Sequence, residues 1–174
     1  MHFINFFPLE GYCPFAGTID LSVSSGLRIL DIEIVFPSRS SVLGGPLVDF
    51  CRVLQTIPQK NSVEEIKLGA YIGFYSSKQG PASCFQADWD LVDSALIRIS
   101  DGRPLLFHLH FVYSFDEGSD TTSDGDEMEV ERALHGEVER HCAQVFRRLV
   151  QERFPLINTS SNITLILSHD VVID

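Results

Sequence analysis

His108-Leu109-His110 sets two imidazoles two residues apart, the spacing that puts both on one face of a β-strand. Such a pair binds a divalent metal when further ligands are at hand. The candidates in the pattern are Glu65 and Asp31, on other predicted strands. Two imidazoles with no certain third ligand do not make a site, so the favoured reading is a pair of solvent-facing histidines, with no metal and no cofactor. A second cluster, Asp120-Thr121-Thr122-Ser123-Asp124-Gly125 followed by Glu131, comes close to a calcium loop. Position 3 is Thr122, which has no carboxylate, and Glu127 stands where an apolar residue is usual, so a solvated acidic loop is favoured. Thr121 and Ser123 each have an acid three residues on, a common surface pattern for acidophilic kinases. Cys142 with His141 or His135 could pair a thiol with a base, but Cys142 falls on the apolar stripe of a predicted helix and reads as a structural thiol. No GxSxG, GxGxxG, P-loop or HExxH motif is present. The expectation is therefore a protein that is not an enzyme.

The elements that would position these residues repeat one unit: an alternating strand, a polar loop, then a helix. Strands centre on Phe3, Ile32, Ile66, Leu109 and Ile166. They alternate cleanly. Asp31 and Glu33 lie between Leu30, Ile32 and Ile34; Glu65 and Lys67 flank Ile66; His108 and His110 flank Leu109. A strand buried on both faces reads as a continuous apolar run, whereas alternation leaves one face wet. Helices are predicted from Gly45-Pro46 to about Pro58, from an N-cap at Asp88 to about Gly102, and from Glu129 to Arg153. The last carries Val130, Leu134, Val138, Cys142, Val145 and Leu149 on one side. Trp89 at a helix start reads as core. Ile19, Leu21 and Val23 are expected to pack behind the sheet, and Phe154-Pro155 to close the long helix. The fold class expected is α/β: a leucine-rich-repeat-like solenoid with a one-sided parallel sheet and helices on the convex face.

Bulk properties agree with one soluble domain over 1–174, 44% hydrophobic and 21% charged, with an acidic mobile insertion at 114–128. Eight carboxylates between Asp116 and Glu131 account for most of the net charge of -11. Clustered Lys and Arg are missing, so no nucleic-acid partner is expected. No segment is long and apolar enough to span a membrane. Cys13, Cys51, Cys84 and Cys142 show no paired spacing, which suits buried thiols in a reducing, intracellular setting, cytoplasmic or nuclear.

Val53-Leu54-Gln55-Thr56-Ile57-Pro58, Ser62-Val63-Glu64-Glu65-Ile66, Trp89-Asp90-Leu91-Val92-Asp93-Ser94-Ala95-Leu96 and Phe154-Pro155-Leu156-Ile157 follow one another in this order. Together they resemble the C-terminal leucine-rich-repeat-like region of a large fungal family of F-box proteins, over about Leu27 to Ser168. The resemblance implies an irregular horseshoe that serves as the substrate-recognition half of a ubiquitin-ligase subunit. The F-box helices that dock the ligase adaptor have no counterpart here, so the chain reads as fragment-like. The resulting expectation is a protein-interaction module that binds an unknown protein through its concave sheet, using Asp31, Glu33, Glu65, Lys67, His108 and His110. Two alternatives stay open: a small α/β enzyme or metal-binding domain with its site near the His108/His110 strand, and a non-functional fragment.

Overall fold

The computed structural model describes residues 19–24, 26–36, 45–74, 88–115 and 127–173. Its elements run β1 (Ile29–Phe36), α1 (Gly45–Thr56), β2 (Glu65–Phe74), α2 (Trp89–Ser100), β3 (Leu105–Phe115), α3 (Glu127–Arg153), α4 (Pro155–Thr159) and β4 (Ile163–Ile173). The strands form one sheet in the order β1-β2-β3-β4, every pair parallel. The protein is thus α/β, with each strand beside its neighbour in sequence and a helix in every crossover, as parallel pairing requires of its connections.

Alternation along the strands decides which face is dry. Leu30, Ile32, Ile34 and Phe36 of β1, Ile66, Leu68, Ala70 and Ile72 of β2, and Leu105, Phe107, Leu109, Phe111 and Tyr113 of β3 are all buried. The helices pack on this face. Trp89 at the head of α2 is fully buried, its ring 5.8 Å from those of Phe111 and Phe154 and 6.5 Å from Phe36. Phe146 of α3 lies 4.6 Å from Phe111 and 5.8 Å from Tyr113. Each such ring removed from water is worth roughly 1.5–3 kcal/mol. On α1, Leu47, Phe50, Cys51 and Leu54 form a buried stripe at helical spacing, joined by Val53.

Polar side chains lock the helix ends. Arg98 of α2 donates to the carbonyls of Ile57 and Leu54 at 2.9 and 2.6 Å, satisfying the end of α1, whose last turn has no basic residue of its own. Asn61 donates to the carbonyls of Pro58 and Ile99, and Arg103 donates to Asn61 Oδ1 and to the Ile99 carbonyl. These bonds tie one crossover to the next.

Several sequence expectations need correction. β4 continues to Ile173, well past Ser168, because Val171 and Val172 extend the ladder against Tyr113 and Ser114. Asp88 stands at the N-cap position of α2, but its side chain makes no capping bond; its carbonyl accepts from Leu91 instead. Phe154-Pro155 ends α3 and also starts α4, with proline at a tolerated first-turn position. Ile19 and Leu21 pack on the core, but Val23 is 86% exposed, because the chain turns there with Ser24 N–H donating to the Leu21 carbonyl. Of the segment expected as an insertion at 114–128, Ser114 and Phe115 belong to β3 and Glu127 and Met128 to α3. The strand around Phe3, residues 116–126 with Thr121 and Ser123, and Cys13 and Cys84 lie outside the described residues. So do the side chains of Val130, Leu134, Val138 and Cys142.

Candidate functional site: the open face of the sheet

The face opposite the helices is built by strand register. Asp31, Lys67, His108 and Ile166 are lateral neighbours, and Glu33, Gly69, His110 and Ser168 form the next row. Below them runs Ile29, Glu65, Leu106 and Thr164; above them runs Val35, Tyr71, Val112 and Asp170. All six residues expected from the sequence therefore share one surface. None is buried. A slip of one residue on any strand would have sent its members into the core.

Within that surface the charges pair locally. Glu65 Oε1 lies 3.6 Å from Lys67 Nζ and 3.1 Å from His108 Nε2. The second approach is close enough for an ion pair with a protonated ring, yet off the line that a hydrogen bond needs. Glu33 accepts from the Tyr71 hydroxyl at 3.3 Å. Burial, and then the Glu33 carboxylate beside it, push the Tyr71 hydroxyl above its ordinary value. Gly69 makes room for this pair: a Cβ there would stand 3.1 Å from Cγ of Glu33. The Glu33 and Tyr71 side chains thus lie over Gly69, where a larger residue would push them aside.

His110 belongs to a chain of its own. Its Nδ1 is 2.8 Å from Ser168 Oγ, and its Nε2 is 3.4 Å from Asp170 Oδ2. With the proton on Nε2, the serine hydroxyl donates to Nδ1 and the ring faces the carboxylate. The order resembles a nucleophile, base and carboxylate relay. However, the Asp170 side chain is 71% exposed, so water screens its pull on the ring, and among the described residues no wall over this strand face excludes water. The arrangement orients His110 more effectively than it activates Ser168. The two histidines each take a different carboxylate, and no three His, Cys, Asp or Glu side chains among the described residues converge with metal-binding geometry.

Tyr71, Gly69, Ser168 and Asp170 were not singled out by the sequence. Asp170 follows Ser168 by two and would have been found by continuing the alternation of β4 through its polar middle. Away from this face, two further groups carry structural chemistry. Asp93 is 1% exposed and accepts the backbone N–H groups of Leu156 and Ile157 at 2.8 and 2.9 Å, capping α4 from α2. Burial raises its carboxyl above the usual range, against the lowering effect of those two bonds. Cys51 is 2% exposed, and burial pushes its thiol up to about 12, the mark of an inert core cysteine.

No family model, curated protein or solved structure matches the chain. No helix among the described residues is long and apolar enough to cross a membrane.

Proposed function

We propose that the protein is a non-enzymatic interaction module that binds another protein through the open face of its sheet, as the recognition half of an F-box-like subunit would. The observation that carries this reading is the pair of adjacent rows Asp31-Lys67-His108-Ile166 and Glu33-Gly69-His110-Ser168. They make a continuous, half-exposed polar surface on a rigid parallel scaffold. A sheet whose strands follow chain order, one helix per crossover, is also what a leucine-rich-repeat-like solenoid requires, and such folds present their strand face to partners. Lys67 pairs with Glu65, so with neutral imidazoles the charge left over on the face is that of Asp31, Glu33 and Asp170. A complementary partner carries basic and apolar groups, with Val35 and Ile166 giving it exposed apolar contacts, 45% and 41% exposed.

The test is a photo-crosslinking residue placed at His108 in one variant and at Arg52, on the exposed side of α1, in another. The module reading expects one protein to be captured in cells from position 108 and not from 52. The double variant Asp31→Lys with Glu33→Lys should lose that capture while staying folded. Equal capture from both positions would move the interface off the sheet. The His110-Ser168-Asp170 chain favours a hydrolytic alternative. Release of nitrophenol from an acyl ester, abolished by Ser168→Ala, would establish it in place of the module.

A further inference from the structure

The β4 edge differs from the rest of the sheet in a way that points to a second copy of this chain. Strand β4 spans eleven residues, Ile163–Ile173, with Asp170 as its single acid or base besides His169. It has no proline, lysine or arginine, the devices that normally guard an edge. From Thr164 to Val172 its side chains are incompletely covered on both faces. Leu165, Leu167 and Val171 are only partly buried on the helix side, and Ile166 and Val172 are 41% and 42% exposed on the other. Between α3 and this edge runs a groove of about 340 Å³, lined by Ala143, Phe146, Val150, Leu167 and His169 with Arg147 at its rim.

The backbone sets the register. Leu105 N–H donates to the Asn162 carbonyl, and alternate residues of a parallel strand address the same neighbour. Even-numbered residues of β4 therefore bond to β3, and Ile163, Leu165, Leu167, His169, Val171 and Ile173 point their N–H and C=O groups outward. Among the described residues no strand lies beyond them. An antiparallel copy centred on Ser168 pairs every one of these outward residues with an outward residue: Leu165 with Val171, Leu167 with His169, Ile163 with Ile173. The strand is self-complementary in this register: on the helix side Ile163 meets Ile173, Leu165 meets Val171 and Leu167 lies beside His169, and on the open side each Asp170 meets Ile166 of the other copy. We propose that two copies of this chain associate through β4, antiparallel about Ser168, to form one continuous eight-stranded sheet with α3 of each copy side by side. The two-fold interface is isologous and closes as a dimer. It is independent of the partner reading above, since the open face stays free and is doubled in extent.

Sedimentation equilibrium of the 174-residue chain across a concentration series tests this, with two substitutions that discriminate the register. Ile166→Asp sets like charges opposite Asp170 twice in the dimer and should weaken it about tenfold, because directly opposed like charges are destabilising and the contact occurs twice. Ile166→Lys is opposed by the same Asp170 and should dimerise at least as well as the parent. Ile166 is 41% exposed, so neither change threatens the fold, which circular dichroism checks. A parent chain that stays monomeric at every concentration overturns the proposal. So does growth beyond a dimer, which would signal head-to-tail stacking, and so does equal behaviour of the Asp and Lys variants.

Discussion

The two outer strands of the sheet among the described residues, β1 and β4, are finished differently. On β1 the core face is sealed: Leu30, Ile32, Ile34 and Phe36 are 0–4% exposed, and the open side carries Asp31 and Glu33. An exposed Arg28–Glu64 pair flanks its start, where solvent screens the attraction. On the core side of β4 Ile163 is buried, whereas Leu165, Leu167, His169 and Val171 are half covered. The difference teaches where the hydrophobic driving force lies. Charges on an open face keep a strand from pairing further, whereas an apolar strand with both faces part-exposed still has area to bury. Stability should therefore concentrate between β1 and β3, with recognition of further chain at β4.

Truncation breaks or supports this comparison with the largest effect. Ile32→Ala on β1 should cost about 2–5 kcal/mol, the range for a fully buried aliphatic, while Leu167→Ala on β4 should cost under about 1–2 kcal/mol in the monomer. Urea unfolding of both variants under monomeric conditions reads the contrast; equal losses would mean β4 is as deeply packed as β1.

The link between the two regions is Asp93. Asp93→Ala leaves the Leu156 and Ile157 N–H groups without their acceptor and should cost about 1–3 kcal/mol. Hydrogen exchange should show the loss at α4 and β4 ahead of β1. The pH dependence has a definite sign. A carboxyl whose folded value is raised by burial holds its proton more tightly folded than unfolded, so its contribution to stability is greatest below the ordinary range of about 4 and falls as pH rises through the raised value. Asp93→Asn should remove that fall. A variant whose stability tracks the parent at every pH would show that Asp93 does not titrate in the folded state as its burial implies.

A smaller effect is expected at the open face. His108→Ala with His110→Ala should change stability by less than about 1 kcal/mol, since neither ring is in the core. Thermal unfolding of the double variant decides it, and collapse of the fold would assign the histidines a packing role. The smallest response belongs to Cys51. Its thiol, raised to about 12, should resist alkylation at neutral pH until the chain unfolds, as peptide mass spectrometry at that residue would show. Fast native labelling would mean α1 opens readily.

How much of this was legible in the sequence follows from which physics each part obeys. Strands β1 to β3 and the placement of Asp31, Glu33, Glu65, Lys67, His108 and His110 on one face follow from period-two alternation, because the wet and dry faces force opposite chemistry at neighbouring positions. The second half of β4 was not legible. Ser168-His169-Asp170 has the composition of a turn, and only pairing with Phe111 and Val112 holds it extended. The capping role of Asp93 was hidden for a related reason: its two acceptor bonds reach 63 and 64 residues along the chain. The pairing of Glu65 with His108, and of His110 with Ser168 and Asp170, depends on the register between strands, which alternation within one strand does not contain.

Cysteine accessibility along two adjacent strands tests the central claim, that the polar rows share one open face. Single substitutions Lys67→Cys, His108→Cys, Leu68→Cys and Leu109→Cys would be made in a chain whose native cysteines are replaced by serine or alanine, and labelled with a water-soluble maleimide under native conditions. Rapid labelling at 67 and 108, with none at 68 and 109 until denaturant is added, is the predicted result. Protection at 67 and 108, or equal labelling at all four, would contradict it.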